Sequence, residues 1–385
     1  PLVRTVLVDR ASDFPKSDRV TRGLRPLLGQ SVFVTNGSDW ARQRRIIDPA
    51  FEGGRVKDSF PAMLEAARAV AARISEGEVD VEALASHGTA DVIFRTLFSI
   101  PIENHVATET YEAFRTFQRE QPVGTLAALI PWWPVRHRKP ARKAAARLRG
   151  LIAELVAERQ ELIARGEAPN DLATKIMTTR DPDTGERFSK AEMVDQVAIF
   201  FLAGHETSAA LLGWALWCLA AAPDWADRVA DEAKKFVKAP EFASLSGMKV
   251  TRNVLRETLR LYPPVPMLVR EAAKDETFRN RSVNRGAQVI VSPWHLGRHE
   301  EHWQDPDAFD PARWDSGSPA PREAWLPFST GPRVCPGAVF AMAEASVLLA
   351  VLMAQFRFEV MDRPVPVAHL TVRSRDGIRL RAIER

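Results

Sequence analysis

The sequence predicts a mainly α fold with a minor β portion, and three observations carry that reading. Ser189-Lys190-Ala191-Glu192 is a capping box opening a long helix through Ala222, and residues 197–223 are nearly all apolar. Segments with helical apolar spacing, divided by Gly, Pro and Asp, fill most of the remaining chain. Short extended stretches gather toward the two ends. No repeat, low-complexity tract or interdomain linker interrupts residues 1–385, so one domain is expected.

Taken in order, residues 3–8 read as a short β-like segment and 9–18 as a loop or short helix. Residues 23–36 are mixed, a loop region with a short helix. Asn36-Gly37-Ser38-Asp39 supplies turn and N-cap chemistry before a helix carrying Trp40, Arg44 and Arg45. Helical patterns cover 55–75 and 79–97, the second with an Asp91/Arg95 pair one turn apart. A turn at 100–103 precedes a helix over 108–119, and the apolar stretch 126–134 reads either as a lid over a cavity or as core capping. Residues 136–149 are strongly basic, and their helix continues through Ala164; a solvated helix face and a contact to an acidic or membrane surface are the two readings. Asp171 opens the next helix, and 181–185 form a turn.

Beyond the long helix, 225–237 and 250–262 are helical, the latter stopped by Pro263-Pro264. Residues 265–272 are extended, 288–292 a strand, 296–303 a short helix and 305–322 a meandering loop. Phe328-Ser-Thr-Gly-Pro-Arg-Val-Cys-Pro-Gly337 leads into a final apolar helix, after which 356–360, 367–372 and 379–383 read as strands.

Composition narrows the function classes. With 45% hydrophobic and 26% charged residues the chain is ordinary for a globular protein with a sizeable core. A net charge of +4 makes no case for nucleic acid. Two cysteines, Cys218 and Cys335, exclude a disulfide framework and fit a reducing, cytoplasmic setting. Residues 1–9 lack the pattern of a signal peptide. Residues 197–223 are long enough to cross a bilayer, but His205 and Glu206 near the middle argue for the central helix of a soluble protein; no second such stretch and no transmembrane segment are read.

Four clusters carry chemistry. Cys335 lies just before a helix N-terminus, where free backbone N–H groups and the helix dipole stabilise the thiolate. Gly331 and Gly337 permit close approach of a flat ligand, and Arg333 adds a cation. By itself a lone cysteine reads equally as a small core residue. Ala203-Gly204-His205-Glu206-Thr207 places an acid and a hydroxyl inside a core helix, either a proton relay or a polar cluster for packing specificity; His205 lacks a partner at metal-ligand spacing. Glu257 and Arg260 form a pair on one helix face that Arg313 in the later loop joins. Trp40 and Arg44 share a face and suit a carboxylate.

Together these clusters resemble the cytochrome P-450 family of haem-thiolate monooxygenases, of the soluble bacterial type. Phe328, Gly331, Arg333, Cys335 and Gly337 meet Phe-x-x-Gly-x-Arg-x-Cys-x-Gly; Ala203, Gly204, Glu206 and Thr207 meet Ala-Gly-x-Glu-Thr; Glu257 and Arg260 meet Glu-x-x-Arg. Arg313 and the Trp40/Arg44 pair complete five motifs in family order over nearly the whole chain. The resemblance implies a helix-rich triangular prism with haem b between the long central helix and the cysteine-loop helix. It makes Cys335 the axial thiolate, whose electron donation favours O–O cleavage. Phe328 packs against the sulfur side, and Ala203, Gly204 and Gly337 lie against the porphyrin. Trp40, Arg44, Arg333 and Arg270 hold the propionates; Glu206 and Thr207 deliver protons; Glu257, Arg260 and Arg313 are structural. The family's N-terminal helix and first strand have no counterpart before Pro1, so that part is expected to be missing.

The implied activity is NAD(P)H-dependent insertion of one oxygen atom from O2 into an apolar organic substrate, hydroxylation or epoxidation. A peroxide-driven peroxygenase or isomerase, or a haem-binding sensor without turnover, are the alternatives. Two cysteines are too few for an iron–sulfur cluster, so electrons are expected from a separate ferredoxin or flavoprotein. A monomer is expected. Candidate substrate contacts are Ile199, Leu202 and Ala203, Pro266 to Val269, and His369-Leu370.

Overall fold

A computed structural model describes residues 1–120, 137–317, 319–368 and 370–385. The helix Lys190–Ala220 is its centre: apolar on every side, it is buried from Met193 to Leu219 except around Ala203, Gly204 and Thr207 and at Trp217. Its capping box forms as the sequence requires. The Glu192 amide donates to Ser189 Oγ at 3.3 Å, and the Ser189 amide donates to Glu192 Oε2 at 2.8 Å. Around it pack Val81–Phe98, also buried on most sides, Lys139–Arg165, and the cysteine-loop helix Ala338–Gln355. The two most apolar helices, Lys190–Ala220 and Ala338–Gln355, are both long and apolar enough to cross a membrane, so a second such stretch exists where none was expected; each buries most of that stretch, 83% and 67%, inside the protein.

Strands are few and short. Gly77–Asp80, Arg379–Glu384 and Phe356–Val360 make a three-stranded antiparallel sheet with Arg379–Glu384 in the middle. Leu268–Glu271 pairs with Gln288–Val291, Glu276–Phe278 with Arg281–Val283, and Pro366–Ala368 with Val372–Ser374. The last pair turns the single extended stretch expected over 367–372 into a hairpin.

Three further local expectations are corrected. Residues 3–8 are helical, Leu2–Arg4 running into a π turn over Thr5–Asp9. Val3, Val6 and Leu7 have i,i+3,i+4 spacing and pack together on Phe14, Ala272, Val291 and Leu326. Residues 77–80, expected in part as helix, form a strand; Asp80 then caps Val81–Phe98 by accepting from the Ala83 amide at 3.0 Å. The short helix is Pro293–Leu296, ahead of its expected position, because Ser292 caps it and Pro293 occupies its first turn.

On Lys139–Arg165, Arg142, Lys143 and Arg147 face solvent while Ala141, Ala144, Ala145 and Leu148 are buried, the solvated-face alternative. Arg136 and the apolar stretch 126–134 lie outside the described residues, as does His369.

Candidate active site

The cysteine loop closes on itself: the Cys335 amide donates to the Phe328 carbonyl at 2.9 Å, and the Val334 amide to the Gly331 carbonyl at 3.0 Å. Gly331 has φ +72°, and a Cβ there would sit 2.1 Å from the Leu7 carbonyl oxygen. Its smallness therefore serves the contact between this loop and the N-terminal π turn. The Gly337 amide donates to the Cys335 sulfur. Burial pushes the Cys335 thiol pKa up, and the Gly337 amide and Arg44 oppose that push. Cys335 keeps accessible surface although protein packs densely around it, the combination expected of a thiol facing an internal hollow.

Four cations gather beside this loop. Arg44 lies on Gly37–Ile47 and donates to the Val334 carbonyl at 2.9 Å, with Nε 2.9 Å from Asp48. Arg333 donates to the Ala11 carbonyl at 2.7 Å, and its buried Nε has no partner. Arg270, on Leu268–Glu271, is buried, and among the described residues its side chain donates only to its neighbour's carbonyl, Val269, at 3.1 Å. The fourth, Lys16, was not singled out in the sequence. Its backbone bridges Arg270, and its Nζ donates to the Val32 and Thr35 carbonyls at 2.6 and 2.9 Å. Asn36, expected as a cap, instead clasps the Lys16 backbone through both ends of its amide at 3.0 and 3.1 Å. The Trp40 ring stacks under Lys16 and Arg333 at 5.8 and 5.1 Å.

Among the described residues Asp48 is the one carboxylate paired with this group, and Asp48 is itself half-exposed. Burial, then Arg333, Arg270 and Arg44, push the Lys16 pKa down to about 6; burial, then Arg333, pushes Arg270 down to about 10. Like charges are held together in a poorly hydrated place without their anions. Two carboxylates arriving on a flat group would relieve this, so the residues present fit a haem with its propionates.

The central helix presents a different face. Ala203 and Thr207, one turn apart, are accessible in an otherwise buried midsection, and Thr207 Oγ1 donates to the Ala203 carbonyl at 2.7 Å. Gly204, half-buried beside that face, has a packing reason to be small. A Cβ on it would sit 2.4 Å from Ile93 Cδ1, so the neighbouring helix demands the glycine. Glu206 is buried and turned from the Thr207 face: Arg373 Nη2 lies 2.5 Å from its Oε1, and Thr371 Oγ1 donates to Oε2 at 3.4 Å. Burial works to raise the Glu206 pKa, yet Arg373, His205 and Gln118 outweigh it and hold it below the ordinary range. Arg373 could not be matched to Glu206 from the chain, since the pairing spans a helix and a distant strand.

Glu257, Arg260 and Arg313 do come together. Arg260 donates twice to Glu257 at 2.9 and 2.7 Å, and Arg313 Nε, the Trp314 indole and the Asp310 amide add bonds at 2.9, 3.0 and 3.0 Å. Arg260 also reaches the carbonyls of Gly297, Pro306 and Ala308, stapling Lys249–Leu261 to the meander. Both partners are fully buried, and every lone pair and N–H of the carboxylate–guanidinium unit is used. Of the substrate-contact candidates, Ile199 and Leu202 are buried, Ala203 and Met267 are accessible, and Pro266, Leu268, Val269 and Leu370 are half-buried.

Fold and site thus define a helix-rich protein with a loop thiol and a cationic cradle for a flat, doubly anionic group. The cytochrome P450 family model matches residues 1–375. The chain is 32% identical over 381 residues to cyclooctat-9-en-7-ol 5-monooxygenase of Streptomyces melanosporofaciens, covering 95% of this chain and 79% of that protein. It is 28% identical over 374 residues to a cytokinin hydroxylase of Arabidopsis thaliana, covering 93% and 72%. The crystal structure of the cytochrome P450DA heme domain superposes with a TM-score of 0.87 at 25% identity, covering all of this chain and 86% of that one. The chain belongs to the cytochrome P450 family. It is an oxidoreductase of the P450 monooxygenase type, with the family's haem as its implied cofactor.

Proposed function

We propose that this protein is a single catalytic domain binding haem b through Cys335, and that it inserts one oxygen atom from O2 into an apolar organic substrate. The observation that carries the reading is the loop thiol beside four clustered cations, of which, among the described residues, only Arg44 is paired with a carboxylate, the half-exposed Asp48. The balance is one C–H bond, O2, NAD(P)H and a proton giving the alcohol, water and NAD(P)+. The haem, when bound, supplies the activation of dioxygen.

The protein's own residues do the rest. Cys335 provides the thiolate, held in place by the Phe328–Cys335 turn and bonded by the Gly337 amide. Arg44, Arg270, Arg333, Lys16 and Trp40 hold the two carboxylates of the group and fix its orientation. Thr207 presents its hydroxyl on the accessible face of the central helix, and Ala203 leaves room beside it. Glu206 holds a proton-accepting carboxylate one residue away in the chain and serves Thr207 on turning from Arg373 toward the hydroxyl face. Ile199, Leu202, Ala203 and Met267 supply an apolar wall that keeps water out and takes an aliphatic ring system; the similarity to a cyclooctat-9-en-7-ol 5-monooxygenase supports an alicyclic substrate. Electrons come from NAD(P)H through a ferredoxin or flavoprotein, and two free cysteines suit a monomer in the cytoplasm.

The test is optical. The haem-loaded protein, reduced under carbon monoxide, is expected to show the red-shifted Soret band of a thiolate-ligated haem, lost in Cys335→His. Absence of that band in the unmodified protein overturns the reading.

A further inference from the structure

His205 meets the site described above only through Glu206, and its side chain is fully enclosed. Its residue exposure is 0%, and its ring is packed by Phe201, Phe114 and Tyr111 at 5.6, 5.2 and 5.7 Å. Nε2 lies 2.9 Å from Ser86 Oγ, which lies 3.1 Å from the Tyr111 hydroxyl. Nδ1 has no hydrogen-bond partner within ordinary reach and sits 3.6 Å from Glu206 Oε1. Ser86 is on Val81–Phe98 and Tyr111 on His105–Glu120, so three helices meet in one polar chain inside an aromatic cage.

The direction of that chain follows from counting donors. Glu206 is ionised against Arg373 and can only accept. A neutral imidazole has one N–H, and the caged ring stays neutral because burial pushes its pKa down to about 4. The ring also bonds the Ser86 backbone on its Nε2 side, and the polar chain takes the tautomer whose proton is on Nδ1, facing the carboxylate. Nε2 is then an acceptor, so Ser86 must donate to it. The Ser86 hydroxyl proton being used, Tyr111 must donate to Ser86. Every movable proton points toward Glu206.

We infer that Tyr111, Ser86 and His205 form a one-way proton line that refills Glu206 from the Tyr111 side, making His205 and Ser86 positioning residues for the monooxygenase reaction. One proton passes from His205 Nδ1 to Glu206 Oε1, one from Ser86 Oγ to His205 Nε2, and one from Tyr111 to Ser86. Water at the rim, where Tyr111 keeps 8% of its surface, restores the tyrosine. The net change is one proton moved inward; nothing is oxidised, and the imidazole turns over to restore its tautomer. Arg373, Thr371 and Gln118 also touch the carboxylate, but none offers a proton at neutral pH as part of a chain. The inference rests on the proposed role of Glu206.

Two measurements test it. In the haem-loaded, reduced, CO-bound protein labelled with nitrogen-15 histidine, the resonance lost in His205→Gln is expected to show the proton on Nδ1; a proton on Nε2 overturns the line. Separately, NADPH-driven O2 uptake is followed with a ferredoxin–reductase pair and dodecanoic acid as probe. Ser86→Ala and Tyr111→Phe are expected to raise the share of O2 released as hydrogen peroxide several-fold and to change the solvent isotope effect on uptake, with the CO Soret band unchanged and Tm lowered only by the loss of one buried hydrogen bond. Unchanged peroxide share and isotope effect in both variants overturn it. An unmodified enzyme without the thiolate CO band would instead overturn the proposed function, a separate failure.

Discussion

Glu206 and Arg373 are joined across the core, Oε1 to Nη2 at 2.5 Å, so the acid beside Thr207 is anchored to the strand Val372–Ser374 and not aimed at the hydroxyl face. Both side chains are largely enclosed, 3% and 21% exposed. Removing the cation by Arg373→Ala leaves a buried, uncompensated carboxylate, and about 3–5 kcal/mol of stability should be lost. Glu206→Gln with Arg373→Gln should cost markedly less. Urea unfolding of the haem-loaded variants checks the order. Glu206 has a folded-state pKa below its ordinary value, so its stabilisation is present above the carboxylate range and lost as pH falls through the folded value. Acid sensitivity should therefore flatten in the double variant.

Lys16 gives a prediction of opposite sign. Its pKa without the anionic group is about 6 against an ordinary 10.5, so between those values the unfolded chain binds the proton that the folded apoprotein rejects. Apoprotein stability should rise with pH over that window. Loading haem should restore the lysine charge and weaken the dependence. Lys16→Met should remove it from the apoprotein and weaken haem retention, read as faster transfer of haem to apomyoglobin. An apoprotein whose melting temperature does not rise across the window rules out a buried, unpaired Lys16.

Ser208 Oγ, next in chain to Thr207, lies 2.6 Å from Glu344 Oε2 on the cysteine-loop helix, and Glu344 Oε1 has no partner. Burial pushes the Glu344 pKa up to about 8, so at neutral pH this carboxyl is protonated and ties two core helices together as a neutral pair. The folded state then holds a proton that the unfolded state releases from about 4.5 upward, and stability contributed by Glu344 declines as pH rises toward 8. Glu344→Gln should keep stability within about 1 kcal/mol near neutrality and flatten that decline. Glu344→Lys should unfold the protein, since it places an unpaired charge in the core. Thermal melts across pH check both.

Much of the fold was legible because its signals are local. The Ser189/Glu192 box, the Asp171 cap and the Pro263-Pro264 stop act within one helical turn, and the structure has them where the residues put them. The Glu257, Arg260 and Arg313 grouping was legible too. The β portion was legible only in part: 288–292, 356–360 and 379–383 read as strands and are strands, but Gly77–Asp80 is a strand because Arg379–Glu384 lies beside it, some three hundred residues away, and nothing in Gly-Glu-Val-Asp announces that partner. The first residues misled because six residues, Val-Arg-Thr-Val-Leu-Val, carry too few periods to separate helix from strand.

By itself the sequence determined the helical order, the thiol loop ahead of an apolar helix, and the family to which those motifs point. These depend on neighbours in the chain, whose capping, periodicity and glycine requirements are short-range. Only the tertiary structure decided that Lys16 joins Arg44, Arg270 and Arg333, that Gly204 is small for Ile93, and that Glu206 turns to Arg373 with His205 behind it. Each of those is a contact between side chains far apart in sequence, chosen by where burial forces charges to find partners.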